Sequence, residues 1–167
     1  MSPKNVSPNA LVWLLLSALL IGLDQWTKSI AMAHLAPGQE VVFIDGFWNW
    51  SLHFNSGAAF SFLANAGPWK HALFVALACG ISVALAIALK RIARKDWVNA
   101  LPFALVIAGA LGNVIDRLRI GQVIDFIDWH WGEHHWPVFN LADSCIVVGV
   151  LVLLFFGLRE QRNGKVH

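Results

Sequence analysis

The stretch His71–Leu89, HALFVALACGISVALAIAL, contains no Lys, Arg, Asp or Glu. It is long enough to cross the hydrocarbon core of a bilayer as a helix, which takes roughly 20 residues. Three other stretches share this character: Leu11–Met32, Trp97–Ile115 and Leu141–Leu158. Pro102 falls in the first turns of the third, where proline is tolerated. The overall composition agrees, with 57% hydrophobic and 13% charged residues in a chain of 167 and a mean hydropathy of +0.61. A soluble domain carries about twice that charged fraction. The expected fold class is an α-helical integral membrane protein with four transmembrane helices, residues 1–167 forming one membrane-embedded domain. The net charge of +2 is too small to suggest a nucleic-acid partner.

Residues 37–70, between the first two spans, differ in character. Pro37-Gly38, Asp45-Gly46 and Ala66-Gly67-Pro68 are turn signals. Between them, Glu40–Ile44 and Phe47–Phe54 are β-branched and aromatic, as strands are. A small β-rich element, about 37–63, is expected there rather than a fifth helix.

Basic residues are distributed unevenly. Lys90, Arg91, Arg94 and Lys95 link spans two and three, Arg159, Arg162 and Lys165 follow span four, and Lys4 precedes span one. The other two connections hold Glu40, Asp45, Asp125, Asp128 and Glu133. The positive-inside rule then puts both termini and the 90–96 loop in the cytoplasm, with residues 33–70 and 116–140 outside. The first span is expected to stay uncleaved, because it runs through Asp24 and Lys28.

That topology gathers four aspartates at the outer ends of the spans: Asp24, Asp116, Asp125 and Asp143. Carboxylates at bilayer depth are costly and usually functional. Asp24 has Lys28 four residues on, one helical turn away, and Asp116 is followed at once by Arg117. Asp125, inside Val123-Ile124-Asp125-Phe126-Ile127, and Asp143 have no local cation. Two unneutralised aspartates able to meet at a membrane surface suggest an acid/base pair sharing one proton. For Asp143 a helix cap competes, since Asn140 is a good N-cap and Asp143 would stand at the third helical position.

Other features have plainer readings. Asn55-Ser56-Gly57-Ala58-Ala59-Phe60-Ser61 is either a tight turn re-entering the membrane or an amide that orients a substrate or a carboxylate. Gly109-Ala110-Leu111-Gly112 suits close helix packing, and Asn113, Asp116 and Arg117 at the same end suggest a structural polar network. Trp48, Trp50, Trp129, Trp131 and Trp136 suit an interfacial belt. His130, Glu133, His134 and His135 lack a metal-site pattern and are expected to form an interfacial surface loop, so no metal and no cofactor are expected. Cys79 and Cys145 are expected to be buried small apolar residues rather than a disulfide or a catalytic thiol.

Five short motifs occur in one order: Asp24-Gln25-Trp26-Thr27-Lys28, Asn55-x-Gly57-x-Ala59-Phe60, Gly109-x-x-Gly112-Asn113-x-x-Asp116-Arg117, Val123-x-Asp125-Phe126 and Phe139-Asn140-x-Ala142-Asp143. With its length and four spans, the chain resembles the bacterial lipoprotein signal peptidases, the type II signal peptidases. The resemblance covers nearly the whole chain, with the 128–136 loop and the termini matching least. It implies an aspartic endopeptidase of the bacterial inner membrane, with its active site on the periplasmic side. Such an enzyme removes the signal peptide from diacylglyceryl-modified prolipoproteins, cutting before the lipid-bearing cysteine. It implies Asp125 and Asp143 as the catalytic pair, supported by Asp24, Lys28, Asn55, Gly57, Asn113, Asp116, Arg117, Asn140 and Ala142. It also implies a periplasmic β-cradle with a mobile periplasmic helix, contact with membrane lipid, and inhibition by globomycin-type cyclic peptides. A monomer is expected.

The chemistry is coherent from the residues upward. Two close carboxylates resist double ionisation, so one stays protonated and polarises the scissile carbonyl while the other takes a proton from water. The competing class is a small channel or transporter that uses the aspartates as a proton or ion relay. The chain shows no convincing internal repeat, which weakens that alternative. A peptidase should convert a lipidated precursor in detergent without any gradient, and a transporter should not.

Overall fold

The computed structural model describes residues 9–57 and 69–163, with side chains up to residue 159. Ala58 to Ser61 and the Ala66-Gly67-Pro68 turn signal lie outside the described residues, as do Lys4 and Lys165.

A single 3-10 turn, Ala10–Trp13, leads into helix α1 (Leu14–His34). Strands β1 (Glu40–Ile44) and β2 (Trp48–Asn55) follow, then helices α2 (Trp69–Arg91) and α3 (Trp97–Ile120). Strands β3 (Val123–Trp131) and β4 (His134–His135) precede helix α4 (Leu141–Asn163). All four helices are long and apolar enough to cross a membrane. Their packing is unequal. In α3, 61% of the apolar window is buried inside the protein, against 11% in α2 and 17% in α1 and α4. Helix α3 is therefore the central post, and the other three turn most of their apolar surface outward, as lipid-facing helices do.

Glycine explains how closely α3 meets its neighbours. A Cβ at Gly109 would run into the Ala142 carbonyl of α4, and one at Gly112 would lie 2.8 Å from Asp24 Oδ2 of α1. A methyl at either position would displace a neighbour, so the backbones of α1, α3 and α4 converge there. At the opposite end, Asn9 bridges to Ala93, and Ala10 N–H donates to Ile92 O at 3.1 Å. The start of the described chain and the basic α2–α3 turn thus share one side, away from the sheet.

The sheet is antiparallel with order β1-β2-β3-β4. Strand β2 aligns Asn49 with Asp128, His53 with Asp125 and Asn55 with Val123 of β3. Phe126 N–H and Ile127 N–H both donate to Phe139 O, at 3.0 and 2.8 Å, and Phe139 N–H returns a bond to Ile127 O at 3.0 Å. Those bonds fix the residue before Asn140 against β3, and so set the start of α4 beside Asp125.

Two features differ from the sequence-based expectation. Residues 128–136 are not a plain interfacial loop: they finish β3 and supply β4, with His130 opposite His135. Apolar alternation is broken there by Asp128 and three histidines, and backbone pairing rather than an apolar face makes the strands. Trp48 and Trp50 are half-buried on the sheet. They pack on Phe43 at 4.8 and 5.4 Å, and Trp50 stacks on Phe126 at 5.9 Å. Trp131 and Trp136 remain 83% and 67% exposed. Helix α3 also runs on to Ile120, beyond the expected end at Ile115, so Asp116 and Arg117 are helical. Cys79 and Cys145 are both free thiols, and Cys145 is buried.

Candidate active site

Lys28 joins the ends of α1 and α3 that lie nearest the sheet. Its ammonium lies 2.8 Å from Asp24 Oδ2 and 2.7 Å from Asp116 Oδ2, and it donates to Asn113 Oδ1 at 3.1 Å. An ammonium has three hydrogens, and each has an acceptor here. Lys28, Asp24 and Asp116 are each 1% exposed. The expected pairing of Asp116 with Arg117 is therefore wrong. Adjacent helical residues point about 100° apart and do not face one another. Arg117 instead donates to Asn113 O at 3.4 Å and sets its guanidinium 5.1 Å from the Phe74 ring centre.

The remaining oxygens of this cluster hold other elements in place. Asp24 Oδ1 accepts from Ala142 N–H at 2.9 Å, so a carboxylate on α1 satisfies a donor in the first turn of α4. Asp116 Oδ2 also accepts from Ile124 N–H at 3.2 Å, which ties the start of β3 to α3. Gln25 donates to Asp116 Oδ1 at 2.8 Å and to Gly112 O at 3.2 Å, and accepts from Arg119 at 3.3 Å. Gln25 was not among the expected site residues. Its signal was a polar side chain directly beside Asp24 in an apolar helix.

Asn113 passes this order to the next layer. Its Oδ1 faces Lys28, so its amide nitrogen must face the other way, and it donates to Asp143 Oδ1 at 2.7 Å. Asn140 is fully buried and touches both unneutralised aspartates. Its Nδ2 donates to Asp125 Oδ1 at 2.7 Å, with further contacts to Ile124 O at 3.1 Å and Asn113 Oδ1 at 3.2 Å. Its Oδ1 accepts from Asp143 N–H at 2.8 Å, and its own N–H donates to Asp143 Oδ2 at 3.3 Å. This reciprocal pair is a capping box at the start of α4. The cap reading and the paired-aspartate reading of Asp143 thus hold together, because the cap is what aims the carboxylate.

Asp125, on β3, is 2% exposed. Its Oδ2 accepts from Asn55 Nδ2 at 3.0 Å. Asn55 is itself fixed by a local turn, its Oδ1 accepting from Gly57 N–H at 2.8 Å. Gly57 has φ +90°, and a Cβ there would lie 2.7 Å from the Phe74 ring. Both the backbone angle and the space demand glycine. Burial, and then the negative charge of Asp143, push the Asp125 carboxyl up from 3.8 to about 7, against the hydrogen bonds from Asn55 and Asn140.

The structure therefore brings all eleven expected site residues into one assembly, with Arg117 and Gly57 at its edge. The histidine cluster stands apart. His135 Nδ1 lies 2.9 Å from Asp128 Oδ1, and the His130 and His135 rings stack at 4.9 Å. The Asp128 hydrogen bond raises the pKa of His135. Among the described residues, no group of three or more His, Cys, Asp or Glu side chains is arranged to hold a metal ion.

Comparison with known proteins agrees with this architecture. A family model described as signal peptidase (SPase) II matches residues 16–159. A lipoprotein signal peptidase of Xanthomonas campestris pv. campestris is 55% identical over 159 residues, covering 95% of each chain. One from Xanthomonas oryzae pv. oryzae is 58% identical over 155 residues, covering 93% of each. One from Xylella fastidiosa is 51% identical over 156 residues, covering 93% of each. Two solved bacterial membrane enzymes, determined by the in meso method, share the fold. One has a TM-score of 0.79 at 30% identity, covering 98% of each chain. The other has a TM-score of 0.75 at 31% identity, covering 91% of this chain and 96% of its own. The chain is a multi-pass membrane peptidase and belongs to the signal peptidase II family, the lipoprotein signal peptidases.

Proposed function

We propose that Asp125 and Asp143 are the catalytic pair of an aspartic endopeptidase that removes the signal peptide from a prolipoprotein, cutting before its diacylglyceryl-bearing cysteine. The observation that carries this reading is Asn140. Its side chain and backbone hold one oxygen of each carboxylate, at 2.7 Å for Asp125 and 3.3 Å for Asp143. Asn55 and Asn113 hold the others, at 3.0 and 2.7 Å. Among the described residues, amide donors hold all four oxygens of the pair and orient both carboxylates.

Near neutral pH the pair carries one proton. We assign it to Asp125, because Asp143 stands in the first turn of α4, where the helix dipole favours the ionised form. Protonated Asp125 donates to the scissile carbonyl oxygen, and ionised Asp143 takes a proton from the attacking water. The proton then passes to the leaving amine as the tetrahedral intermediate collapses. Lys28, Asp24, Asp116, Arg117, Gly57 and Ala142 support the pair rather than touch substrate. The basic α2–α3 turn supports a cytoplasmic location for that end and a periplasmic one for the site, in the inner membrane. The protein works as a monomer, and a globomycin-type cyclic peptide would compete for the same carboxylates.

The test is a gel-shift assay on a purified diacylglyceryl precursor in detergent. Asp125→Asn and Asp143→Asn should each lose at least roughly 100-fold in rate, the lower end of what a positioned acid or base contributes. Both should still insert and melt cooperatively. Near wild-type cleavage by either variant would overturn the assignment, as would activity abolished by a chelator and restored by zinc.

A further inference from the structure

An apolar groove of about 450 Å³ lies between α1 and the sheet, on the other side of β3 from the aspartates. Its helical wall is Thr27, Ile30, Ala31 and His34, one continuous face of α1, with Leu35 just beyond the helix end. Val41, Trp50 and Phe126 close it from the sheet. Phe126 and Asp125 are consecutive on β3, so their side chains leave the strand on opposite sides. Asp125 is held from the α4 side by Asn140, whereas Phe126 faces α1.

We propose that the groove holds one acyl chain of a bilayer phospholipid from the leaflet on the sheet's side. Three observations select that occupant. First, the groove is continuous with the lipid-facing surface: Trp26, Ile30 and Met32 on α1 are 61%, 41% and 46% exposed, and Val41 on β1 is 39% exposed. Second, polarity is confined to one end. The Thr27 hydroxyl is already bonded to Leu23 O at 3.0 Å and Asp24 O at 2.9 Å, which leaves His34, at the outer end of α1, to meet a polar head. An amphiphile with its head at His34 and its tail pointing down toward Thr27 has the orientation of a lipid in that leaflet. Third, Thr27 to His34 spans about 10 Å of helix, the length of part of one acyl chain. An occupied groove backs Phe126 and braces the strand that carries Asp125. The proposal rests on membrane embedding and not on the proposed reaction.

The experiment uses the full chain in lipid nanodiscs containing a phospholipid with a diazirine on one acyl chain. After photolysis, labelled positions are mapped by mass spectrometry. Labelling should concentrate on Thr27–Leu35, Trp50 and Phe126, several-fold above Leu151, Leu154 and Phe155, which are comparably or more exposed lipid-facing residues of α4. Ala31→Leu, which fills the groove, and Val41→Lys, which charges its rim on an exposed strand, should each remove that excess. Labelling of α4 should not change, which also reports that the variants are folded. Uniform labelling of α1 and α4 would overturn the proposal, and so would an excess that survives both variants. A diacylglyceryl precursor with the same diazirine is the second probe. If it labels the groove and displaces the phospholipid, the occupant is substrate and the proposal is wrong.

Discussion

Lys28 of α1 and Asp116 of α3 meet at 2.7 Å with both side chains 1% exposed. Asp24, at 2.8 Å, shares the same ammonium, so one cation serves two buried carboxylates. Removing it is therefore expected to be more damaging than breaking a simple pair. Lys28→Met should cost at least about 3–5 kcal/mol, the usual cost of stranding a buried charge. Asp24→Asn added to Lys28→Met should recover only part of this, because Asp116 stays unpaired. Adding Asp116→Asn should recover more. Thermal melting of the three variants in one detergent checks the order. A Lys28→Met protein that melts like wild type yet loses cleavage would mean that Lys28 acts on the reaction itself.

Asn140 has two separable jobs, and substitution can divide them. As N-cap of α4 its oxygen accepts from Asp143 N–H, and as an amide donor its nitrogen holds Asp125. Asn140→Ser keeps a capping oxygen and loses the reach to Asp125. Asn140→Ala loses both. The alanine variant should be less stable than the serine variant by about 1 kcal/mol, the typical worth of a cap. Both should lose cleavage to a similar extent. Equal stability would remove the capping role, and activity that survives in the serine variant alone would remove the hold on Asp125.

The pH dependence follows from Asp125. Its folded carboxyl is raised from 3.8 to about 7, so the proposed acid loses its proton as pH rises through that value. The rate should fall on the alkaline side with a midpoint near there. Asn55→Ala removes a hydrogen bond that favours the ionised form, so the alkaline limb should move to higher pH. The same shift has a stability sign. The folded state keeps a proton that the unfolded chain has released, so this contribution is present below 3.8 and is lost as pH rises through about 7. Profiles of kcat/KM against pH for wild type and Asn55→Ala decide the point. A limb that does not move, or that moves down, would remove Asp125 from the role of acid.

Much of this site was legible in the chain because its costs are legible. Asp24, Asp116, Asp125 and Asp143 stand out in a sequence only 13% charged, and parity of spans puts them on one side. The partners were less readable. Arg117 is the cation nearest Asp116 in sequence, but helical geometry points it elsewhere, and Lys28 arrives from another helix. The strand carrying Asp125 was also missed, although Val123 to Ile127 is β-branched and aromatic around one carboxylate. A long-range pairing with β2 makes it a strand, and a local reading cannot see that partner. The roles of Gly109 and Gly112 were anticipated as packing, while what they pack against came only from the fold.

Those two glycines give the last prediction. At Gly109 an added methyl meets the Ala142 carbonyl, a backbone atom in the first turn of α4 that cannot move without shifting the helix. At Gly112 it meets Asp24 Oδ2 at 2.8 Å and Ala142 Cβ at 3.1 Å, and a side-chain carboxylate can turn aside. Gly109→Ala should therefore be the more destabilising, toward or beyond the upper end of the roughly 1–3 kcal/mol typical of overpacking. Gly112→Ala should melt closer to wild type but cleave poorly. Turning Asp24 weakens its 2.9 Å bond from Ala142 N–H, and that bond helps set the start of α4 and with it Asp143. Melting and cleavage measured on both variants test the contrast. If Gly112→Ala keeps full activity, Asp24 does not position α4, and the link from Lys28 through Asn113 to Asp143 must suffice alone.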